Sequence, residues 1–382
     1  MKVPVTLASF FLILLQIKSA LAIQTNAPSP LKSSQLKIEV IARGFSHPWG
    51  IQFLPDGRIL ISERKGTLRI VTPLGNIGPP IEGVPNVVFK DQGGLLDLLL
   101  AKDFQNSKTL YYTYVPSNSK DEVFTAIGKG QLVLQKNNTG VLENTTEIFR
   151  QDPPLNTWHH FGSRLVWSRD GNLFVTLGDR LVGRSEAQNS RNMIGKVVFI
   201  KTDGSAAIKE PVHSDWDPRI WSMGHRNVQG AALHPENGEL WTVEHGPQGG
   251  DELNKDERGK NYGWPTITYG REYSGEAIGE GTIKRGLEQP IYYWTPSIAT
   301  SSLIFYTGNL FPEWKGNILV GALNGKKIAR LILSKEKVIQ EESLLTDFRQ
   351  RIRSLIEGPD GALWILTDDP SEGQIIRISP SR

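Results

Sequence analysis

The chain contains no cysteine and only three methionines in 382 residues. It therefore has no disulfide, no thiolate metal site and no Cys nucleophile, and an exported form must rely on core size for stability. Long apolar runs are equally scarce. Residues 5–17 form the one extended apolar stretch; it is too short to cross a bilayer as a helix, and Lys18 interrupts its end. Charge of one sign is missing too, with 43 Lys and Arg against 40 Asp and Glu and no basic cluster. That excludes the electrostatic footprint of a nucleic-acid binder. Helical signal is scarce, since 38 Gly and 23 Pro leave room only for short helical pieces.

Residues 1–22 have the layout of a secretory signal peptide. Lys2 supplies the positive start, residues 5–17 the apolar middle, and Ala20-Leu21-Ala22 an A-x-A cleavage pattern. Cleavage after Ala22 predicts a periplasmic or secreted protein that is not membrane-embedded. Residues 23–35, rich in Ser, Pro and Asn, read as a flexible mature N-terminus. Two N-x-S/T sequons, at Asn137 and Asn144, lie in a polar loop.

What the chain does have is a repeat. A turn signal followed by a short strand recurs at Leu54-Pro-Asp-Gly, Ser168-Arg-Asp-Gly, His234-Pro-Glu-Asn-Gly, Pro312-Glu-Trp-Lys-Gly and Gly358-Pro-Asp-Gly, with a degenerate copy over 103–112. Each reads as a hairpin turn leading into a strand of β-branched, Leu and aromatic residues. Six copies give roughly 55 to 60 residues per unit, the size of a four-stranded blade with a functional loop. The expected fold is all-β, a six-bladed β-propeller forming a single domain over 36–382 with four-stranded antiparallel blades. A strand at 36–42 should close the ring by pairing into the last blade, formed by 352–378. Two stacked β-sandwich domains would be the other architecture, but no linker-like break interrupts the repeat.

Residues 220–264 concentrate chemistry that a core strand does not need. They hold His225, His234 and His245, the run Gly224-His225-Arg226-Asn227, and a Gly-Pro-Gln-Gly-Gly turn followed by Asp251 and Glu252. Arg226 offers a fixed cation with a planar donor fork, suited to a carboxylate or a developing oxyanion, or equally to a structural ion pair. The loop 244–252 is rich in hard oxygen ligands of the kind Ca²⁺ takes, yet it lacks the EF-hand pattern, and a solvated acidic loop is the equal reading. The three His have no common zinc spacing. Upstream, His159-His160 precedes the third repeat; a loop-end imidazole beside Arg164 is a candidate general base, and a pair of surface or capping histidines is the alternative. Gln92 sits on a Gly-rich turn. Arg351 and Arg353, two apart on an expected strand, share a face and could receive an anionic group.

Together these residues resemble the soluble quinoprotein sugar dehydrogenases, the glucose/sorbosone dehydrogenase family, and most of all its aldose sugar dehydrogenase branch. The resemblance runs from Gly44 to Arg377. It is carried by Gln92-Gly-Gly-Leu-Leu, His160-Phe-Gly-Ser-Arg-Leu, Gly224-His-Arg-Asn, Gly246-Pro247, Asp251-Glu-Leu-Asn, Asn261-Tyr-Gly-Trp-Pro and Arg351-Ile-Arg. It implies a six-bladed propeller holding pyrroloquinoline quinone (PQQ), a planar tricarboxylate, on Ca²⁺. By that resemblance His160 is the general base toward the sugar C1 hydroxyl, and Arg226 and Asn227 lie over the quinone. Gln92, Tyr273, Leu323, Asn324, Arg351 and Arg353 would contact the cofactor. Gly246 and Pro247 would offer carbonyls to one Ca²⁺, Glu252 and the Tyr262 carbonyl to a second.

The sequence departs from the family at two points. Where the fifth-blade loop often carries Leu-Lys, with the Lys reaching a PQQ carboxylate, this chain has Leu323-Asn324-Gly325-Lys326-Lys327. Asn324 cannot replace a charge, so Lys326 or Lys327 must swing in, or the cofactor is held less tightly. His159, moreover, stands where some members have an acid that would adjoin the base. The expected activity is oxidation of an aldose at C1 to a lactone, with electrons passed to an external acceptor by a monomer or homodimer. A Ca²⁺-dependent propeller lactonase and a non-catalytic sugar- or partner-binding propeller are the alternatives; the lactonase has no use for Gln92, Arg351 and Arg353, and Asn324 favours the binding protein.

Overall fold

The computed structural model describes residues 25–381. The predicted signal peptide lies outside the described residues. Strand β1 (Leu36–Phe45) is followed by blade 1, made of β2 (Pro48–Phe53), β3 (Ile59–Glu63) and β4 (Thr67–Val71). Blade 2 comprises β5 (Leu95–Leu100), β6 (Thr109–Tyr114), β7 (Ala126–Leu134) and β8 (Gly140–Arg150). Blade 3 is β9 (Leu165–Trp167), β10 (Leu173–Thr176), β11 (Lys196–Ile200) and β12 (Ile220–Met223). Blade 4 is β13 (Val228–Leu233), β14 (Leu240–Glu244), β15 (Asp251–Asp256) and β16 (Tyr292–Trp294). Blade 5 is β17 (Thr300–Phe305), β18 (Ile318–Ala322), β19 (Lys327–Ser334) and β20 (Lys337–Leu344). Blade 6 takes β21 (Ile352–Glu357), β22 (Leu363–Thr367) and β23 (Gly373–Pro380), with β1 as its fourth strand.

The structure is thus a six-bladed propeller of antiparallel sheets, closed as the repeat predicts: β1 pairs with β23 from Leu36↔Pro380 to Phe45↔Gly373. Each repeat marks the hairpin between the first and second strands of a blade. In three copies the same bonds recur, for example Gly57 N–H to the Leu54 carbonyl at 2.9 Å and Gly361 N–H to the Gly358 carbonyl at 2.9 Å. Gly57 and Gly171 need only their backbone freedom there, at φ 84° and 86°, because nothing lies within 4 Å of an added Cβ. The copy at 103–112 looks degenerate because Lys108, at φ 54°, takes the left-handed position that glycine holds elsewhere.

In blade 1 the place of a fourth strand is filled by an irregular segment. Pro73, Pro79, Pro80 and Pro85 remove ladder donors there, and the segment instead bridges outward, with Leu142 N–H bonded to the Glu82 carbonyl at 2.8 Å. Residues 25–35 carry no regular structure but lie along blades 4 and 5. Thr25 bonds the Tyr293 carbonyl at 2.8 Å, and the Ser34 hydroxyl bonds Glu342 at 2.9 Å.

The core is distributed between blades. Leu60, Leu98 and Tyr112 pack blade 1 on blade 2, and Tyr111, Leu173 and Ile220 pack blade 2 on blade 3. Trp241, Leu303 and Val320 join blades 4 and 5, while Trp314, Leu319 and Ile376 join 5 and 6. Phe45, Ile59 and Ile375 seal the closing junction. Near the axis, buried hydroxyls add a polar clasp. Ser62, Thr113, Thr176, Ser301 and Ser354 each bond a carbonyl at the start of the next blade. Between blades 4 and 5 an imidazole does this work, His245 Nε2 bonding the Thr300 carbonyl at 2.6 Å.

Phe45 is fully buried at the junction that makes the ring. Phe45→Ala should cost about 3–5 kcal/mol. Urea unfolding would show the lower midpoint as one cooperative transition, and a loss below 1 kcal/mol would mean that this junction does not limit stability.

Candidate active site

The first strands of the blades surround the axis, and the loops that lead into and out of them bound a cavity of about 400 Å³, a size suited to a small molecule. Gln92, Asn227, Leu323, Arg351 and Arg353 all line it, although they come from four different blades or the loops between them. Trp49, Leu96, Phe161 and Ala299 give it apolar surface. Beneath lies Arg164, which bonds Asp97 at 2.9 Å, the Gln229 carbonyl at 3.2 Å and the Ser301 carbonyl at 3.0 Å. One side chain from the start of blade 3 thereby ties blades 2, 4 and 5 together across the axis.

His160 sits beside this cavity, in the loop that enters β9. Its backbone N–H bonds Gln92 Oε1 at 2.8 Å, and its Nδ1 bonds Asp179 Oδ1 at 2.6 Å. Asp179 is itself fixed, since Oδ2 accepts Trp264 Nε1 at 2.8 Å and Oδ1 accepts Leu181 N–H at 2.8 Å. The approach depends on Gly178, where an added Cβ would lie 2.0 Å from the His160 carbonyl oxygen. A carboxylate acceptor at Nδ1 places the proton there and leaves Nε2 as the free base. Burial lowers the His160 pKa from its ordinary value, Asp179 opposing and the Arg226 charge adding to the effect. Burial alone would raise the Asp179 pKa, but the His160 bond and the Arg226 charge bring it below the usual carboxylate value. The ring is therefore neutral, oriented and ready to accept a proton at pH 7. No acid at position 159 is needed, because Asp179 supplies the orientation; the half-buried His159 contributes its carbonyl to Arg180 Nε at 3.1 Å.

Arg226 is buried and adjoins the dyad, its carbonyl accepting Asp179 N–H at 2.7 Å. Its Nη1 bonds the carbonyls of His245 at 3.2 Å and Gly246 at 2.8 Å. Asn227 Oδ1 accepts Gly162 N–H at 3.2 Å and Gln229 Nε2 at 3.1 Å.

The opposite wall is cationic. Arg351 and Arg353 both reach Asp368 Oδ2, at 3.2 and 3.4 Å, while His47 Nδ1 holds Oδ1 at 2.8 Å. Burial would raise the Asp368 pKa, but Arg353, His47 and Arg351 outweigh it and hold the carboxyl well below its usual range. Burial, together with the charges of Arg64, Arg351 and Arg164, lowers Arg353 to about 10 despite Asp368, and its Nε has no partner among the described residues. Sequence reasoning missed His47, Arg64, Asp179 and Asp368. His47 and Asp368 are 321 residues apart, and only the closed ring brings them together.

Three expected contacts are not gathered by this structure. Tyr273 is 73% exposed and outside the cavity wall. Asn324 is exposed one residue beyond the lining Leu323, with Nδ2 3.4 Å from the Ser297 carbonyl. Lys327 does not swing in, since Glu341 and Ser343 hold it at 2.9 Å each, and Lys326 is exposed.

For a cation, two neighbourhoods differ. Gly246 and Pro247 are buried, the Gly246 N–H is held by Asp251 at 2.9 Å, and the Gly246 carbonyl accepts Arg226. Glu252 lies opposite Glu244 in the β14–β15 register. Burial and the neighbouring Glu244 charge push its pKa well above the ordinary value, and its carboxylate accepts Asn254 Nδ2 at 3.3 Å. Glu244 also accepts His225 at 2.9 Å, and the His225 ring stacks on Tyr262 at 4.9 Å. The half-buried Glu252 carboxylate, set against the buried Glu244 near Tyr262, suits a hard divalent ion. Among the described residues no three His, Cys, Asp or Glu side chains cluster in metal-binding geometry, so a cation here would also need carbonyls or water.

The propeller thus sets an oriented imidazole beside a cationic cavity. The model of the glucose/sorbosone dehydrogenase family matches residues 45–377, and the chain belongs to that family of sugar dehydrogenases. It is 39% identical to the aldose sugar dehydrogenase YliI of Escherichia coli over 378 residues, covering 97% of this chain and 98% of that one. The crystal structure of the soluble aldose sugar dehydrogenase of E. coli in its apo-form superposes with a TM-score of 0.86, covering 91% of this chain and all of that one. Quinoprotein glucose dehydrogenase B of Acinetobacter calcoaceticus is 25% identical over 419 residues, with 88% and 86% of the two chains covered.

Asp179 opposes the downward shift of His160, so Asp179→Asn should move the His160 titration further down. Histidine NMR across pH 4–8 would show it; an upward or absent shift would mean that the carboxylate does not face the ring in solution.

Proposed function

We propose that this protein is a PQQ- and Ca²⁺-dependent aldose dehydrogenase, exported to the periplasm or secreted, which oxidises an aldose at C1 to the lactone and passes electrons to an external acceptor. The observation that carries the reading is the His160–Asp179 pair set beside a cavity walled by Arg351 and Arg353. The similarity to a quinoprotein glucose dehydrogenase and to aldose sugar dehydrogenases supports the choice of cofactor and substrate class.

The residues present fit such a cofactor. Arg351, Arg353 and Gln92 would take its carboxylate edge, and Trp49 and Phe161 offer flat apolar surface to its rings. The Glu252 neighbourhood suits Ca²⁺, as would the Gly246 and Pro247 carbonyls once Arg226 turns from the first of them. PQQ, when bound, supplies the two-electron acceptor for hydride from C1, and a Ca²⁺ beside it would act as a Lewis acid.

The chain's own residues do the rest. His160 Nε2 removes the proton of the C1 hydroxyl as hydride leaves the same carbon, giving the lactone. Asp179 keeps the ring in the right tautomer and steadies the imidazolium that forms. Arg226, buried and turned from the Gly246 carbonyl, faces negative charge as it grows, where low polarity makes its charge count for more. Asn227 and Gln92 are held by Gly162, Gln229 and His160, so the positions they offer a ligand are set before it arrives.

Metal-free protein should oxidise aldoses in a dye-linked assay only when PQQ and Ca²⁺ are both added. His160→Ala should then lose about 10²- to 10⁴-fold in kcat. Because the base must be neutral and burial lowers its pKa, kcat/KM should fall on acidification with a limb below pH 6.5, the ordinary imidazole value. Full activity without PQQ would refute the reading, and an acid limb above that pH would remove His160 as the base.

A further inference from the structure

Arg64 follows β3 at the rim of blade 1 and lines the same cavity as Arg351 and Arg353. It is 8% exposed. Its Nε donates to the Gly93 carbonyl at 3.2 Å and its Nη2 to the Asp91 carbonyl, while the guanidinium lies 5.4 Å from the Phe89 ring centroid. Both acceptors are neutral. Among the described residues Arg64 has no ion pair, and its Nη1 has no hydrogen bond. Asp368 is already shared by Arg351, Arg353 and His47. Asp91 borders the cavity too, but it is exposed and meets Arg64 only through its carbonyl.

Burying a guanidinium without a carboxylate is costly unless another anion arrives. Burial lowers the Arg64 pKa; the charges of Asp368 and Asp91 oppose the shift without cancelling it, and the nearby Arg351 charge adds to it. The backbone that carries the side chain is also held in place. Gly94, at φ 135°, closes so tightly that an added Cβ would lie 2.0 Å from the Arg64 carbonyl oxygen, and Leu95 N–H bonds that carbonyl at 3.0 Å. Two guanidinium groups thus line the cavity on this wall: that of Arg353, whose buried Nε has no partner among the described residues, and that of Arg64, whose Nη1 makes no hydrogen bond among them.

We propose that Arg64 is a cofactor-binding residue that takes a carboxylate of the bound quinone and so supplies, from blade 1, the charged contact that Asn324 in blade 5 cannot make. The inference rests on the PQQ reading above. It assigns no role to Lys326 or Lys327, which the structure keeps away from the cavity. A planar fork fixed in advance loses little freedom on binding, so it can replace a flexible lysine without loss of affinity.

The test is titration of PQQ into the purified, Ca²⁺-loaded mature chain, followed by quenching of tryptophan fluorescence, since Trp49 lines the cavity. Arg64→Gln should weaken binding by about tenfold to a hundredfold. Arg64→Met, which keeps the apolar stem against Phe89, should weaken it similarly, and Arg64→Lys by less. Thermal melts without PQQ identify the variants that fold as the parent does. Parental affinity in either neutral variant that melts normally overturns the inference and leaves the cofactor reading standing, as does a loss confined to Lys326→Ala. Failure of the parent itself to bind PQQ removes both together.

Discussion

Pairing of β1 with β23 is the constraint on which everything else depends. A blade cannot bury both of its faces alone, and each of the inter-blade clusters needs the neighbour that closure guarantees. Without that last ladder, Phe45 and Ile375 face water, and blade 1 loses its support on one side. Closure also fixes the axis. The first strands must then face one another, and the loops at their ends converge however distant they are in sequence. His47 and Asp368, at opposite ends of the chain, form one hydrogen-bonded pair for this reason.

That geometry explains how one cavity can hold two kinds of chemistry. On the blade 3 side, burial favours neutral His160 and Asp179 orients it, the arrangement that the proposed base requires. On the blade 6 and blade 1 side, guanidinium groups outnumber the buried carboxylate that serves them, so the wall attracts an anion. Arg164 and the hydroxyl clasps tie the blades together around these halves. His245 belongs to that set: burial and the Arg226 charge lower it to about 3, which leaves it a neutral donor joining blades 4 and 5.

Much of the fold was legible because its punctuation is conformational. Gly57, Gly171 and Gly361 mark turns that need a left-handed residue, and a reader who finds them has found the blades. The copy at 103–112 was faint because Lys108 adopts that conformation without being glycine. The site was less legible. Residues alone favoured a surface or capping histidine at His160, and only the resemblance implied a base there. Asp179, the partner that makes it a base, lies beyond β10 with no local pattern linking the two. Arg64 and His47 could not be foreseen because their company is set by ring closure. Tyr273 shows the converse, a residue placed by resemblance that the structure leaves exposed.

The central claim is that the sugar C1 hydrogen leaves to a quinone held in this cavity while His160 takes the hydroxyl proton. It is tested most directly by mixing reconstituted enzyme with an aldose under anaerobic conditions and following the cofactor absorbance in a single turnover, using protiated and C1-deuterated sugar. The account predicts reduction of the cofactor that is markedly slower with deuterium and that is lost in His160→Ala. A sugar that disappears with no change in cofactor absorbance, or a rate indifferent to deuterium at C1 and to His160, would contradict it.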